Sequence, residues 1–230
     1  MKDEIVKTIA TNQVTVISGD TGCGKTTQVP QLVLDDMIFN KRGSEANIIV
    51  TQPRRISAIG VSERIASERC ERVGETTGYS IRGESKRSAK TRLLLCTTGI
   101  LLRRLQCDPD LASVSHVFVD EVRISNILGR RLNVHNSIYM SRGCNNLGQL
   151  VANILIIFSI SLFKVHERDL NTDFLLIILK DLLARRKSLK VVLMSATLNA
   201  DTFSSYFRGC PTVTIPGRTH PVKEHRLEGK

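Results

Sequence analysis

Two hydrophobic rhythms run along the chain. Short apolar stretches at residues 14–18, 47–51, 92–96, 116–119 and 191–194 are rich in Val, Ile and Leu and only lightly broken by polar residues. Strands buried on both faces read this way. Between them, apolar residues recur at helical spacing. They predict helices over 1–12 (Ile5, Val6, Ile9), 26–37 (Val29, Leu32, Val33, Leu34), 57–69 (Ile59, Val61, Ile65, Ala66), 98–106 (Ile100, Leu101, Leu102) and 199–207. Residues 41–46 form a polar turn, Pro53 stops the second strand, and 74–90, rich in Gly, Ser and charge, is expected to be a loop. Strands alternating with helices predict an α/β domain with a mostly parallel sheet flanked by helices. Ligands of such sheets bind beyond the C-terminal ends of the strands.

The polar clusters of this chain fall at those ends: Gly19 to Thr26, Gln52 to Arg55, Thr97 to Gly99, Asp120-Glu121 and Ser195 to Thr197. The first, Gly19-Asp20-Thr21-Gly22-Cys23-Gly24-Lys25-Thr26, is a G-x-x-x-x-G-K-T loop between a strand and a helix. Its glycines let backbone N–H groups curl around phosphates, and the following helix adds its positive end. Lys25 suits the β- and γ-phosphates of a nucleotide such as ATP, and Thr26 suits Mg2+. Asp120 suits the metal's water shell, and Glu121 suits the orientation or deprotonation of an attacking water, with a place beside the metal. Arg54 and Arg55 offer two cations. Thr97, Thr98 and Gly99 offer hydroxyls and free N–H groups at a helix start. Both groups suit the phosphates of a nucleic-acid backbone.

Bulk properties sharpen this only in part. The 230 residues make one large domain or two small ones, with 41% apolar residues to fill a core. A net charge of +11 favours a polyanionic partner, RNA or DNA before membrane. Ten aromatic residues and no Trp leave little for base stacking. Six cysteines without a C-x-x-C pair fit a reduced intracellular setting, cytoplasmic or nuclear, and imply neither zinc nor disulfides. The charged start Met1-Lys2-Asp3-Glu4 lacks the apolar centre of a signal peptide.

Eight segments taken in order resemble one family: GDTGCGKTTQ (19–28), TQPRRISA (51–58), TGYSIRGES (77–85), CTTGILLRRL (96–105), VDE (119–121), VHERD (165–169), MSATL (194–198) and PGRTHPV (216–222). They are similar to the first RecA-like domain of the DEAH-box RNA helicases, the DEAH/RHA group of superfamily 2. The resemblance covers nearly all of 1–230 except roughly 122–164. It implies a P-loop NTPase, an ATP hydrolase that moves on RNA, usually 3′ to 5′, and unwinds or remodels it. It also implies that Gly22, Gly24, Lys25, Thr26 and Thr27 hold phosphates and Mg2+, that Asp120, Glu121 and His166 form the catalytic acidic motif, and that Arg64 stacks on the nucleotide base. Arg54, Arg55, Thr97, Thr98 and Gly99 match backbone contacts to RNA, and Ser195, Ala196 and Thr197 match the motif that couples hydrolysis to domain movement. Asp20 stands where the family usually has Glu. The chain stops where the family's first domain ends, so the second RecA-like domain and the C-terminal domains are expected to be absent. Weak nucleotide binding and little or no unwinding are expected of the fragment alone.

The acidic motif is split. Asp120-Glu121-Val122 runs into other sequence, and Val165-His166-Glu167-Arg168-Asp169 resumes it. Removing the 43 residues 122–164 restores DEVHERD without a scar. This segment carries five cations and no acid, so +5 of the +11 comes from it and the charge argument for nucleic acid weakens accordingly. Val122-Arg123 can be encoded by GTAAGA and Phe163-Lys164 by TTTAAG, the letters expected at intron ends. We therefore read 122–164 as a retained intron, with a genuine regulatory insertion as the rival. Its apolar run 150–163 has 14 residues, short of the ~20 that span a bilayer, so no membrane partner is expected, nor an obligate oligomer. Two other functional readings stand beside the enzyme. One is a catalytically dead nucleotide- or RNA-binding fragment with a regulatory role. The other is a P-loop enzyme such as a small-molecule kinase, which leaves Pro53-Arg54-Arg55, Thr97 to Gly99 and Ser195 to Thr197 unexplained.

Overall fold

The computed structural model describes residues 1–20, 22–122, 167–195 and 200–217, with only the backbone path for 167–170. In chain order the elements are α1 (Lys2–Thr11), β1 (Val14–Gly19), α2 (Lys25–Phe39), a short 3-10 turn (Gly43–Glu45), β2 (Ile48–Gln52), α3 (Arg55–Glu68), β3 (Thr77–Ile81), β4 (Glu84–Lys86), β5 (Leu93–Thr97), α4 (Thr98–Cys107), β6 (His116–Val119), α5 (Glu167–Arg185), β7 (Lys190–Ser195), α6 (Ala200–Tyr206) and β8 (Thr212–Ile215). The strands form one sheet in the order β4-β3-β5-β2-β6-β7-β1-β8. Every pairing is parallel except the β3–β4 hairpin. The mostly parallel α/β sheet expected from the hydrophobic pattern is therefore present.

Why the strands read as continuous apolar runs is visible in how they divide. Val16, Ile49, Val117, Val119, Val191 and Leu193 face one core with Leu101, Leu105, Leu175, Leu179, Leu182 and Phe203. Their neighbours Ile17, Ile48, Val50, Phe118, Val192 and Met194 face a second core with Ile5, Ile9, Val29, Val33, Leu34 and Ile65. Successive side chains of a strand alternate between faces, and both faces here are covered by helices.

Three stretches lie outside the sequence reading. The expected loop over 74–90 holds β3 and β4. Tyr79 and Ile81 are buried, and the Tyr79 hydroxyl donates to Glu84 across the hairpin. Gly78 is required there, because a Cβ at that position would collide with the Lys86 carbonyl. Gly and Ser thus mark close strand approach rather than loop. The second is α5, whose buried Leu175, Leu176, Leu179, Leu182 and Leu183 lie on one helical stripe. The third is the edge strand β8, a four-residue alternation in which Val213 is buried and Ile215 packs half-buried against the same core. The expected helices and the remaining strands fall within a few residues of their predicted bounds.

Two predictions follow from this packing. Phe118 is fully buried between sheet and helices, whereas Ile56 is 84% exposed. In urea melts, Phe118→Ala should cost about 3–5 kcal/mol and Ile56→Ala no more than about 0.5 kcal/mol. His116 opens β6, accepts or donates one bond with the Ser115 hydroxyl at 3.0 Å, and is buried. Burial, then the cations Lys190 and Arg42, push its pKa down from 6.5 to about 4. The unfolded chain therefore takes up this proton at higher pH than the folded one, and stability should fall as pH drops from 6.5 to 4. The loss is on the order of 3 kcal/mol. Urea melts of wild type and His116→Gln across that window measure it, because the variant lacks this contribution.

Candidate functional site

The glycine loop closes on itself through its own lysine. Gly22 and Gly24 take φ of +82° and +85°, values open to glycine at little cost, and Gly24 caps α2. Lys25 is the first residue of that helix and is buried. Its ammonium donates to the carbonyls of Gly19 at 2.6 Å and Asp20 at 2.7 Å, with the Cys23 sulfur at 3.5 Å. A cation so held sits at the N-terminus of a 15-residue helix, where the helix dipole and the loop N–H groups favour an anion. Thr27 donates back to the Gly24 carbonyl at 3.3 Å. Thr21 lies outside the described residues.

Across from the loop, Asp120 follows β6 and is 7% exposed. Its Oδ2 accepts a hydrogen bond from the Thr26 hydroxyl at 2.6 Å and one from the Gln52 amide at 2.7 Å. Thr26 and Asp120 were expected to share an ion, and they stand in direct contact. In the sequence Gln52 belongs to a polar cluster at a strand end and carries no role of its own. Its signal is its place as the last residue of β2, beside the strand that Asp120 follows. Among the described residues, no three of His, Cys, Asp and Glu are grouped to hold a metal. The donor set is one hydroxyl and one carboxylate, both hard oxygens. That set fits Mg2+, which takes one or two protein oxygens and completes its shell with water and phosphate.

Glu121 is exposed, with φ of +52°, a left-handed conformation that costs a non-glycine residue roughly 1 kcal/mol or more. The next residue anchors it. Val122 N–H donates to the Met194 carbonyl at 3.1 Å, and the buried Ser195 hydroxyl donates to the Val122 carbonyl at 2.8 Å. The end of β7 thus grips the chain directly after the two acids. His166, Ala196 and Thr197 lie outside the described residues.

Arg64 projects from α3 with its side chain 69% exposed and pairs with Glu68 at 2.6 Å. Glu68 also accepts from Gln28 at 2.9 Å and Gln31 at 2.8 Å, both on α2. The Gln31 bond, then Arg64 and Gln28, hold its carboxyl below the usual range, against the opposing effect of burial. Arg64 is thereby tied to the helix that begins at Lys25.

The second candidate surface lies beside the first. Gln52 and Thr97 are partners in the β2–β5 ladder, so Arg54, which caps α3, and Thr97, which caps α4, sit at neighbouring strand ends. Arg54, Arg55 and Gly99 are exposed, and Thr98 is buried. Neither cap residue spends its side chain on its helix N-terminus, so first-turn N–H groups remain for phosphate oxygens. At Thr98 a contact of this kind would come from the backbone.

Comparison with known proteins places this geometry in a family. The family model described as DEAD/DEAH box helicase matches residues 1–152. Over 99% of the chain, it is 50% identical to the DExH-box ATP-dependent RNA helicases DExH1 and DExH3 of Arabidopsis thaliana, covering 19% and 15% of their lengths. It is 46% identical over 99% of its length to the ATP-dependent DNA/RNA helicase DHX36 of Homo sapiens, covering 19% of that protein. The chain thus spans less than a fifth of the relatives it matches. With the family model covering most of its residues, over a RecA-like sheet and a glycine loop facing an acidic strand end, the chain belongs to the DEAD/DEAH box helicase family.

Proposed function

We propose that these residues are the nucleotide-binding half of an ATP-dependent RNA helicase. ATP would lie on the glycine loop with Mg2+, and hydrolysis would be coupled to movement on RNA. The observation that carries this reading is the contact between Thr26 and Asp120, 2.6 Å apart from residues 94 positions distant. In the proposed site Lys25 and the loop N–H groups bind the phosphates. Thr26 and Asp120 would hold the ion and its water shell, and Glu121 would orient or take a proton from the attacking water. Bound Mg2+ would neutralise charge on the phosphate oxygens. Arg64 would meet the base from α3. Arg54, Arg55 and the α4 N-terminus would hold RNA by its phosphates, which fixes position without reading sequence. The names of the relatives, helicases acting on RNA or on DNA and RNA, support the nucleic-acid part. An intracellular setting, nuclear or cytoplasmic, belongs to the same proposal, and the described cysteines, all free thiols, fit it. Among the described residues no helix is long and apolar enough to cross a membrane.

A second reading follows from the split motif: a regulatory fragment that binds nucleotide or RNA without turning ATP over. Mg2+-dependent binding of a fluorescent ATP analogue, followed by RNA-stimulated hydrolysis with a second RecA-like domain supplied, separates the two. The enzyme reading expects both, with binding lost on Lys25→Ala. Binding without RNA-stimulated hydrolysis selects the regulatory fragment, and no binding ends both readings.

We further propose that residues 122–164 are translated intron. Sequencing the transcript across the codons for Glu121 to Val165 should yield a product 129 bases shorter, corresponding to the 43 residues. A transcript that always retains them makes the segment a true insertion and favours the regulatory reading.

A further inference from the structure

Gln52 is 2% exposed, at the tip of a parallel strand, with its side-chain amide turned onto an acid. A primary amide buried this far needs partners, since leaving it without them costs about 1–3 kcal/mol. Its described partner is Asp120 Oδ2, at 2.7 Å. The two donors on that oxygen differ in kind. Thr26 belongs to the first turn of the helix after the glycine loop and is itself a candidate for the metal. Gln52 belongs to the sheet. Its strand is bonded on both sides, to β5 and β6, and Pro53 after it restricts the Gln52 backbone to the extended region. The Asp120 N–H adds a third tie, donating to the Thr51 carbonyl at 3.3 Å.

We infer that Gln52 is a positioning residue for Asp120: its buried amide holds the carboxylate in the orientation that serves the metal, independently of the glycine loop. The inference rests on the nucleotide-and-Mg2+ reading above. Carboxylates around metals are themselves held by outer hydrogen bonds, and removing such a partner typically lowers metal affinity about 10–100-fold. Gln52 touches neither phosphate nor metal in this scheme. Its effect should therefore appear in the Mg2+ dependence of nucleotide binding and vanish when Asp120 can no longer serve.

The test titrates Mg2+ into the 230-residue chain with a fluorescent ATP analogue, using affinity in EDTA as reference. Gln52→Leu should weaken the apparent Mg2+ affinity about tenfold and leave the affinity in EDTA unchanged. In an Asp120→Asn background the same substitution should add less than about twofold, because the two residues act as one unit. Gln52→Met, unbranched and of similar volume, repeats the measurement, and thermal melts confirm that each variant folds. If neither folds, the Gln52 side-chain amide signal of the wild type decides by NMR. It should shift when Mg2+ is added to the ATP-bound chain, and an unmoved signal overturns the inference. Unchanged Mg2+ dependence in a folded variant also overturns it and leaves the P-loop reading standing. So does an equal loss in the Asp120→Asn background, which would make Gln52 a packing residue. A wild type that binds nucleotide without regard to Mg2+ overturns the reading beneath and the inference with it.

Discussion

A carboxylate nearly withdrawn from water constrains the whole upper edge of this sheet. Desolvating an ionised acid costs several kcal/mol unless donors meet it, and Asp120 is 7% exposed. Its donors, Thr26 and Gln52, come from 94 and 68 residues away in sequence. They meet because the parallel ladders hold neighbouring strands level, with Thr51 opposite Val119, Val119 opposite Leu193 and Ser18 opposite Ser195. A slip of one residue in any of these ladders would reverse the faces of a strand buried on both sides. Packing of Phe118 and Val119 into opposite cores forbids that slip. The site is therefore a consequence of register, and register is a consequence of two apolar layers that each accept only alternate residues.

The same register sorts two groups of candidate residues along one edge. At β1 and β6 the ends carry the lysine and the acid. At β2 and β5 they carry exposed Arg54 and Arg55 and the start of α4. Strand β2 belongs to both. Its last residue is bonded inward to Asp120, and two positions on, Arg54 is exposed. In the proposed helicase a nucleic-acid backbone held at Arg54 would thus lie one short turn from the group that positions the metal carboxylate.

Much of this was legible in the sequence, and the reasons differ by element. Strands buried on both faces announce themselves as apolar runs, and His116–Val119 was read to the residue. The glycine loop was legible because its spacing carries a mechanism. The β3–β4 hairpin was hidden by the residues that make it possible: Gly78 lets the Lys86 backbone approach, and Gly83, with φ of +85°, turns the chain. Read singly, both glycines spell loop. Strand β8 is a Thr-Val-Thr-Ile alternation of only four residues, with Val213 and Ile215 turned to the core, a pattern too short to stand out beside the longer apolar runs. Helix α5 hides its leucine stripe in the unbroken apolar run 174–179, where Ile177 and Ile178 blur the helical period, and the sequence leading into it departs from the rest of the chain. Gln52 was invisible as a functional residue because an amide gains its meaning from the acid it faces, and the two strands meet only in the fold.

The split acidic motif can be weighed against the bonds around it. Val122 is the first residue of the anomalous segment, yet its N–H and carbonyl are taken by Met194 and Ser195 at the end of β7. Removing 122–164 would put Val165 in that place, and removing 123–165 would leave Val122 there; the restored motif is the same either way. The partners of this position are backbone groups and one hydroxyl, which see only the main chain of whichever valine arrives. The hold of β7 on the residue after Glu121 thus asks only for a main chain there, although Met194 and Ser195 themselves lie beyond the split. Asp120 and its two donors all precede it. What the segment separates from them is His166 and the helix that starts at Glu167. The metal half of the proposed chemistry is therefore independent of the interruption, and the half that needs His166 beside Glu121 is not. Nucleotide binding and turnover should for that reason part company in this chain, with binding the more robust of the two.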